Sequence, residues 1–503
     1  MATKRTAAPQ TQNANSTYID TDQHLVACND VAQISVLPDS AGTYSSYLCN
    51  FHPKARTPMI HDRLQHRLTN FIAALISSLF VASSFAMADD FPQWRGVNRD
   101  GFINENNLMK ELPEGELPRK WSVPIGSGYS GPTVAKGKVY LTDRGIGESD
   151  NQVERILCFD EESGKQIWEH SYKVNYNDDQ YNIGYKAGPR AAVTIHDGKA
   201  VSVGAMGDLK CLKASSGQII WEHQLASEYK VKMPIWGITA APLIYEDLVI
   251  QIAAGSAGAC VVAFDLQTGE EKWRAIDELA GYSAPILIRQ GQQDVAVCWT
   301  GESVTGLDPK TGKTLWRLPM ESRNMPIGVA TPVTSGKYLF VSSFYDGSML
   351  IELNLEKPEV KQVWRRIGRN ERNTDSLHCM ISTPLIKGEY IYGVDSYGEL
   401  RCLDLSTGDR IWEDTTAVPK ARWATIHTMR HGDGEIMLND QGELLFANLN
   451  PKGFKESSRT KLLAPTLRQL PRRNGVTWAH PAIANGVIFA RSDNELVAAP
   501  LTK

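Results

Sequence analysis

Residues 158–168 read C-F-D-E-E-S-G-K-Q-I-W, and this eleven-position pattern recurs along the chain. A looser copy, with two extra residues, ends at Trp364. The tryptophans that end successive copies are 43 to 53 residues apart, a period typical of β-propellers and solenoid arrays. The close copies occupy residues 211–221, 263–273, 306–316 and 402–412.

Each position of the pattern has its own physical role. The aspartate at the third position accepts hydrogen bonds from the backbone of the turn that follows it. The glycine supplies the positive φ that a tight hairpin requires. The tryptophan four residues later lies on the returning strand, where we expect its ring to pack one sheet against the next. The residues expected in these structural roles are Asp160, Gly164, Trp168, Gly217, Trp221, Asp265, Gly269, Trp273, Asp308, Gly312, Trp316, Trp364, Asp404, Gly408 and Trp412.

A second pattern lies upstream of each copy. It consists of a proline, alternating apolar residues, a short turn and another strand, as in P-L-I-Y-E-D-L-V-I-Q from Pro242. Alternation over so few residues, between turns that contain Gly or Asp, favours β-strands over helices. Each unit therefore comprises four antiparallel strands, the size of a propeller blade.

The chain contains eight such units. Six carry the tryptophan, a seventh runs from Trp423 to Lys455 without it, and an eighth begins at Trp478 but ends before an outer strand. Segment 119–125, R-K-W-S-V-P-I, supplies a strand for that place. Pairing the first strand with the last removes two sheet edges. The sequence thus predicts an all-β, eight-bladed β-propeller of four-stranded antiparallel blades, closed by its N-terminal and C-terminal strands.

With these motifs the chain resembles the PQQ-like (pyrroloquinoline-quinone-like) eight-bladed propellers, whose repeat is A-x-D-x-x-T-G-x-x-x-W. The resemblance covers about residues 117–503. Short motifs at Phe91, Gly188, Pro234 and Trp478 are similar to a branch of secreted bacterial propellers. The family includes an outer-membrane assembly scaffold without a cofactor as well as quinoprotein dehydrogenases. The resemblance therefore implies the fold and leaves the function open.

Four segments are predicted. Residues 1–58 are polar and unpatterned, and we interpret them as a mis-called or disordered N-terminal extension. Residues 59–88 form a signal peptide, 89–116 an N-terminal arm, and 117–503 the propeller. For the arm, a lid over the ring is one alternative, and a strap packed on the outside is the interpretation we favour.

The signal peptide has the usual three parts. Arg63 and Arg67 precede an apolar run at 71–82, and A-M-A at 86–88 predicts cleavage after Ala88. The apolar run is shorter than the roughly 20 residues of a membrane span. We therefore expect a periplasmic or secreted protein with no stable membrane anchor after cleavage.

The amino-acid composition and net charge limit the kinds of molecule that this protein is expected to bind. The chain of 503 residues is 42% hydrophobic and 22% charged, with a net charge of −4, which is ordinary for a soluble globular protein and gives no support for nucleic-acid binding. Cys158, Cys211 and Cys402 occupy the first position of the repeat and there is no C-x-x-C, so buried free thiols are favoured over zinc ligands or disulfides. We expect a monomer.

Loops that lead into the first strand of each blade converge on one end of the central channel, the channel mouth. Converging polar and aromatic groups are typical of a ligand site. Packing alone is an alternative explanation for the tryptophans, and for His378 we favour a structural role. A buried arginine and a histidine in a channel each need polar partners. The candidate ligand-site residues are Arg190, Trp236, Tyr282, His378, Arg422, Trp423, Trp478 and His480, with Tyr129 and Asn324 beside them.

Basic residues are concentrated in the loops before blades 6 and 8. Loop charges are usually solvated, but if these residues gather they would attract an anionic saccharide or a carboxylate-bearing peptide. They are Arg365, Arg366, Arg369, Arg372, Arg459, Lys461, Arg468, Arg472 and Arg473.

The sequence favours an exported, non-catalytic propeller that binds a ligand or protein through the channel mouth and rim loops, with no cofactor. One alternative is a periplasmic PQQ-dependent oxidoreductase of alcohols or sugars, for which the resemblance implies PQQ, Ca²⁺ and an adjacent cysteine pair; no Cys-Cys occurs here. Another is a cell-envelope assembly scaffold with envelope proteins as partners. Catalytic residues are not identified, and we expect no metal site.

Overall fold

The computed structural model describes residues 90–145, 152–176, 188–466 and 475–502. These ranges contain eight sheets of four antiparallel strands, one of which carries a fifth strand, and a single short helix, α1 (Leu225–Glu228). The predicted eight-bladed propeller is therefore confirmed. Within the same ranges no helical segment has both the length and the apolarity that a membrane span requires. The predictions for residues 1–58 and 59–88 lie outside the described residues.

Two strands precede the first blade and four blades follow them. The preceding strands are β1 (Phe102–Ile103) and β2 (Trp121–Pro124). Blade 1 contains β3 (Thr133–Ala135), β4 (Lys138–Arg144), β5 (Val153–Asp160) and β6 (Gln166–Lys173). Blade 2 contains β7 (Thr194–His196), β8 (Lys199–Val203), β9 (Asp208–Lys213) and β10 (Ile219–Gln224). Blade 3 contains β11 (Leu243–Tyr245), β12 (Leu248–Ile252), β13 (Val261–Asp265) and β14 (Glu271–Ala275). Blade 4 contains β15 (Ile286–Gln290), β16 (Gln293–Trp299), β17 (Ser303–Leu307) and β18 (Thr314–Pro319).

The other four blades repeat this plan. Blade 5 contains β19 (Val333–Ser335), β20 (Tyr338–Ser343), β21 (Gly347–Leu353) and β22 (Val360–Arg366). Blade 6 contains β23 (Leu385–Lys387), β24 (Tyr390–Val394), β25 (Leu400–Asp404) and β26 (Arg410–Asp414). Blade 7 contains β27 (Ile426–His431), β28 (Gly434–Asn439), β29 (Glu443–Asn450) and β30 (Gly453–Lys461). Blade 8 contains β31 (Ala482–Ala484), β32 (Val487–Arg491) and β33 (Glu495–Pro500).

Burial changes from the inside of a blade to the outside. The second and third strands are buried on both faces, because each blade lies between two others. The fourth strand alternates, and its tryptophan is the inward residue: in β6, Trp168 is buried between exposed Ile167 and Glu169. The first strands of neighbouring blades approach one another, as β3 does with β7 and β31, so they line the central channel.

The ring closes as predicted. Strand β2 pairs antiparallel with β33 and becomes the outer strand of blade 8, with Trp121 opposite Ala498. The Trp121 indole N–H donates to the carbonyl of Glu161 in blade 1, 2.9 Å away. The first and last strands thus join one blade, and its tryptophan binds the next.

The same contact recurs around the ring. The indole of Trp168 donates to the carbonyl of Ala214 in blade 2 at 3.0 Å. A Cβ at Gly217, whose φ is +71°, would lie 2.5 Å from that indole, so this glycine is required by both its backbone and its neighbour. Equivalent bonds join Trp221 to Leu266, Trp273 to Pro309, Trp364 to Leu405 and Trp412 to Asn450.

Blade 4 uses a side-chain relay instead. Its Trp316 donates to the side-chain oxygen of Gln290 at 2.8 Å. The amide of Gln290 then donates to the carbonyls of Asn354 and Glu359 in blade 5. Blade 5 carries the copy of the motif with two extra residues, so its turn has a different shape. The side chain of Gln290 connects Trp316 to that turn.

The cysteines have the predicted environment. Cys158, Cys211 and Cys402 lie opposite the tryptophan of the adjacent strand in the sheet register. The six cysteines of the described residues are free and buried. Burial raises the pKa of the Cys158 thiol to about 12, so it stays protonated as a small apolar group.

Residues 91–103 of the N-terminal arm lie in the central channel, so the favoured external strap is wrong for this part. Residues 108–116 run outward instead, and the N–H of Leu112 donates to the hydroxyl of Ser458 on β30, the outer strand of blade 7. Phe91 pairs with Val134 of blade 1, and β1 adds a parallel strand to β27 of blade 7. Arg99 donates to the carbonyls of Ala241 and Pro285, which lead into blades 3 and 4. Only a segment near the ring axis reaches first strands on opposite sides of the ring. The physical reason is that buried carbonyls and small side chains around the axis need a polar and aromatic filling.

Candidate functional site

A cavity of about 120 Å³ lies at the channel mouth, and we call it the channel-mouth cavity. All eight loops that lead into first strands contribute a residue to it. Six aromatic rings dominate its surface. It is lined by Trp94, Tyr129, Arg190, Ala192, Trp236, Thr239, Ala241, Tyr282, Ala284, Val329, Met380, Ile381, Trp423 and Trp478.

Trp94 of the arm forms the floor of this cavity. Its ring packs against three small residues at equivalent places in blades 2, 3 and 4, Ala192, Ala241 and Ala284. Its indole N–H donates to the hydroxyl of Thr331 in blade 5 at 2.8 Å. Alanines at these positions leave the space that the indole fills. The cavity is therefore a pocket with a closed base.

Five of the rings form a continuous wall. Trp236 lies 5.2 Å from Tyr282 and meets Trp423 edge to face at 6.1 Å, measured between ring centroids. Trp423 meets Trp478 at 6.2 Å, and Trp478 stacks on Tyr129 at 5.9 Å. Trp423 has a φ of +66°, a left-handed conformation that is uncommon for a bulky residue. The packing of the wall therefore holds a strained backbone in place.

Arg190 is the charged residue of the cavity lining. Its Nε donates to the carbonyl of Trp236 at 2.9 Å, and its guanidinium carbon lies 4.4 Å from the centre of the Tyr129 ring. Its Nη2 is buried and has no hydrogen-bond partner among the described residues. The indole nitrogen of Trp478 has none there either. Two hydrogen-bond donors of the lining are thus available for an acceptor group.

Two further arginines fix the arm below the cavity. Arg99 is buried, and its Nε donates to the side chain of Gln93 at 2.8 Å, while its Nη atoms donate to the carbonyls named above and to that of Pro242. Arg95 is also buried and donates to the carbonyl of Asp100 at 2.8 Å. Burial lowers the pKa of both guanidinium groups, to about 9 for Arg99 and about 10 for Arg95. Both stay cationic at neutral pH, so the arm is fixed by charged hydrogen bonds to carbonyls.

The structure brings six of the predicted residues to the cavity and places the others elsewhere. His378 is fully buried: its Nε2 accepts from the N–H of Gly368, so its Nδ1 donates to the carbonyl of Phe344, both at 3.0 Å. Burial lowers the pKa of His378 to about 4. This histidine is a packing residue, in agreement with the favoured structural role.

His480 lies under the cavity floor. Its ring centroid is 5.2 Å from that of Trp94 and 5.1 Å from that of His427. Its Nδ1 donates to the carbonyl of Pro481, and its Nε2 has no partner among the described residues. Burial is the main cause that holds the pKa of His480 well below its usual range. His480 thus supports the floor from below and does not line the cavity.

Arg422 and Asn324 lie beside the cavity. Arg422 forms an ion pair with Glu371 at 2.7 Å, and its guanidinium carbon is 4.5 Å from the centre of the Trp423 ring. Asn324 lines a shallow depression on the rim with Arg323.

Four of the basic residues predicted to lie in rim loops lie instead on the outer strands β22 and β30, and all four are already paired. Arg366 binds Asp375 and Asp409, and Arg459 binds Glu443. Arg365 donates to the carbonyl of Ser348, and Lys461 to that of Gln441. Arg369 and Arg372 lie in rim depressions around Glu371. The predictions for Arg468, Arg472 and Arg473 lie outside the described residues.

The sequence interpretation missed Trp94, the alanines beneath it and the apolar lining from blades 5 and 6. The motif that contains Trp94, F-P-Q-W-R-G-V-N-R-D-G, held the available signal. An aromatic residue and two arginines within so short a segment are more than an external strap requires. Arg95 and Arg99 moreover adopt positive φ values, which arise here because tertiary contacts hold a compact loop.

Comparison with known sequences gives a consistent family. The family model described as "Outer membrane protein assembly factor BamB" matches residues 152–414 and 302–502. The outer membrane protein assembly factor BamB of Shewanella oneidensis is 24% identical over 355 residues, which cover 69% of this chain and 72% of the relative.

Two solved structures share the fold. BamB from Moraxella catarrhalis aligns with a TM-score of 0.50 and 16% identity, covering 76% of this chain and 97% of that one. Quinohemoprotein alcohol dehydrogenase from Comamonas testosteroni aligns with a TM-score of 0.58 and 13% identity, covering 82% and 80%. At these identities the likeness concerns the fold alone.

Proposed function

Because this chain belongs to the PQQ-like propeller family described as outer membrane protein assembly factor BamB, we propose that it is an exported binding protein that holds a small ligand in the channel-mouth cavity without catalysis. The observation that carries the proposal is the lining itself: six aromatic rings and two unpartnered donors around a pocket with a closed base. Apolar concave sites with a few polar groups are what small-molecule binding requires.

The position of Trp94 favours the binding of a ligand over the passage of a ligand through the ring. The indole fills the axis on the alanines of blades 2, 3 and 4 and is fixed by Thr331. A ligand that enters from the mouth therefore meets a floor and leaves by the same route. Such a site holds a ligand in one orientation, which suits a receptor or a carrier.

The residues do not fit the quinone and calcium pair of the quinoprotein dehydrogenases. Calcium takes six to eight oxygen ligands, with carboxylates prominent among them. The cavity lining has no Asp, Glu or Asn, and the described residues contain no group of three His, Cys, Asp or Glu that could hold a metal. The carboxylate of Glu371, beside the cavity, is held by Arg422. The six described cysteines are all free, and none is adjacent in sequence to another.

Binding of an uncharged aromatic probe tests the proposal. The exported protein is titrated with 2-naphthamide, and binding is measured by saturation-transfer difference NMR. Binding is expected, and Val329→Trp should abolish it by filling the cavity. Leu355→Trp adds the same ring at a position that is 57% exposed and should leave binding unchanged. Absence of binding to the unmodified protein, or binding that survives Val329→Trp in a folded variant, overturns the proposal.

An envelope assembly scaffold is the second candidate, favoured by the family match over residues 152–502. Its partners would be outer-membrane assembly proteins that contact the rim depressions containing Arg369 and Arg372. Cross-linking in intact cells of the source organism, followed by mass spectrometry, tests this candidate. Enrichment of such proteins should be lost when both arginines are replaced by Glu and retained when Lys165 and Lys213, two exposed residues, are replaced. Equal enrichment in both variants contradicts a rim interface at these arginines.

A further inference from the structure

We infer that the channel-mouth cavity selects a small aromatic compound with a single carboxylate group, which Arg190 binds. The inference rests on the proposed function, because it names the chemical class of ligand for the same cavity.

The charge of the cavity lining is the first argument. Among the described residues of the lining, Arg190 is the one cationic side chain, and no carboxylate lies beside it there. Its guanidinium forms no ion pair with any described residue, in contrast to Arg422 on the rim, which has Glu371 as its partner. A cation in an apolar, partly enclosed site without a counter-charge attracts an anion.

The second argument is the position of the two unpartnered donors. The Arg190 guanidinium stacks on Tyr129 at 4.4 Å, and Tyr129 stacks on Trp478 at 5.9 Å. Tyr129 therefore contacts both residues, and Arg190 lies directly over its ring. Both donors are buried, and neither has a partner in the described part of the chain. An acceptor group on a ligand supplies what both lack.

The rest of the lining selects the body of the ligand. Trp94, Trp236, Tyr282 and Trp423 offer ring faces and edges around the remaining space, and Met380 adds a polarisable sulfur. Such a surface favours a flat aromatic body over a sugar, whose hydroxyl groups would find few partners. Thr239 supplies the single aliphatic hydroxyl among the lining residues that the structure describes. This argues against the anionic saccharide considered from the sequence.

One positive charge matches one negative charge. A carboxylate carries a single charge near neutral pH, and its planar fork fits a guanidinium. A phosphate monoester carries close to two charges, and the second would remain without a partner in the cavity. A carboxylate is therefore the anionic group that the lining balances.

Matched probes test the inference. The exported protein is titrated with 2-naphthoate and with 2-naphthamide, which differ in charge but have the same ring system, and both dissociation constants are measured by ligand-observed NMR. We expect 2-naphthoate to bind about tenfold more tightly, as a charge-assisted bond implies. Arg190→Gln should reduce the ratio to below about twofold while 2-naphthamide still binds.

Three variants separate direct contact from general effects. Arg190→Lys keeps the charge and should retain part of the preference, which guards against a loss caused by altered folding. Trp478→Phe keeps the ring but removes the N–H, and should leave the ratio largely unchanged, because the indole N–H can donate to the oxygen of either probe. Arg372→Gln removes a rim charge outside the cavity and should leave the ratio unchanged.

The possible outcomes distinguish failure of the carboxylate inference from failure of the proposed binding function. Equal affinity for the two probes overturns the carboxylate inference and leaves the proposed binding function standing. A preference for 2-naphthoate that persists in Arg190→Gln, or that disappears in Arg372→Gln, overturns the role of Arg190. Failure of both probes to bind the unmodified protein overturns the binding function and the inference together.

Discussion

The indole N–H of Trp94 donates to the hydroxyl of Thr331 across 2.8 Å, although the two residues are 237 positions apart in the sequence. One belongs to the arm and the other to the loop that leads into blade 5. The bond therefore fixes the arm at the ring axis and fixes the floor of the channel-mouth cavity at the same time.

Replacement of Trp94 tests this double role. Trp94→Ala should lower the free energy of unfolding by about 3 kcal/mol, because it removes a large ring from the axis and leaves a cavity. Trp94→Phe keeps most of the ring and should cost about 1 kcal/mol through the lost hydrogen bond. Urea unfolding followed by circular dichroism measures both. A Trp94→Ala protein as stable as the unmodified one would contradict an arm in the channel.

The contact between blades is tested by a pair of glycines in blade 2. Gly198 and Gly217 have φ values of +70° and +71°, but a Cβ at Gly198 meets nothing within 4 Å, whereas one at Gly217 meets Trp168. Gly198→Ala should therefore cost about 1 kcal/mol, for the left-handed backbone alone. Gly217→Ala should cost about 3 kcal/mol, because overpacking is added. If both variants lose the same stability in thermal unfolding, the Trp168 ring moves aside with no loss of free energy.

Stability should fall in mild acid because of buried histidines. Burial lowers the pKa of His427 to about 4, against an ordinary value of 6.5. Between these values the unfolded chain binds the proton and the folded chain does not, so protonation favours the unfolded state. The stability that depends on a neutral His427 is therefore complete above pH 6.5 and is lost as the pH falls toward 4. The loss from this residue approaches about 1.4 kcal/mol per pH unit.

Substitution of His427 tests whether this residue is the source of the acid sensitivity. His427→Gln retains a donor for the carbonyl of Trp478 and should lose less stability than the unmodified protein between pH 7 and pH 5 in urea unfolding. His196→Gln, at an exposed histidine on β7, controls for the substitution itself. An identical pH dependence in His427→Gln and the unmodified protein would exclude His427 as the source.

Calcium and quinone should have no effect. Because the described residues of the cavity lining include no carboxylate, neither chelation of divalent cations nor addition of Ca²⁺ with PQQ should change the melting temperature or produce alcohol-dependent dye reduction. Native mass spectrometry of the protein, supplied with both, should show the bare polypeptide. A bound mass of quinone plus calcium that disappears in Arg190→Ala would reverse this conclusion and make the protein an oxidoreductase.

The residues that sequence analysis identified correctly are those whose role repeats. Trp168 and Gly217 are recognisable because the same contact recurs between blades, and a strand without its tryptophan, as in blade 7, is recovered by alternation. The rings at the channel mouth were predictable for a related reason. Trp236 and Trp478 both stand a few residues before a first strand, and all first strands begin at one end of the ring.

Single, unrepeated contacts could not be predicted. Trp94 lies on three alanines from different blades, and none of them is remarkable in the sequence. The pairing of Arg366 with Asp409, which removes much of the expected basic character of the rim, joins two blades. Such pairs depend on which loops become neighbours, and this is decided only when the ring has closed.

The arm in the channel also sets an order for folding during synthesis. Residues near 91 are made early, yet Phe91 and Trp94 contact His480, one of the last residues to be made. The outer strand β2 must likewise wait for β33. The early segment therefore stays without its native partners until the chain is almost complete, and contacts of such long range slow folding.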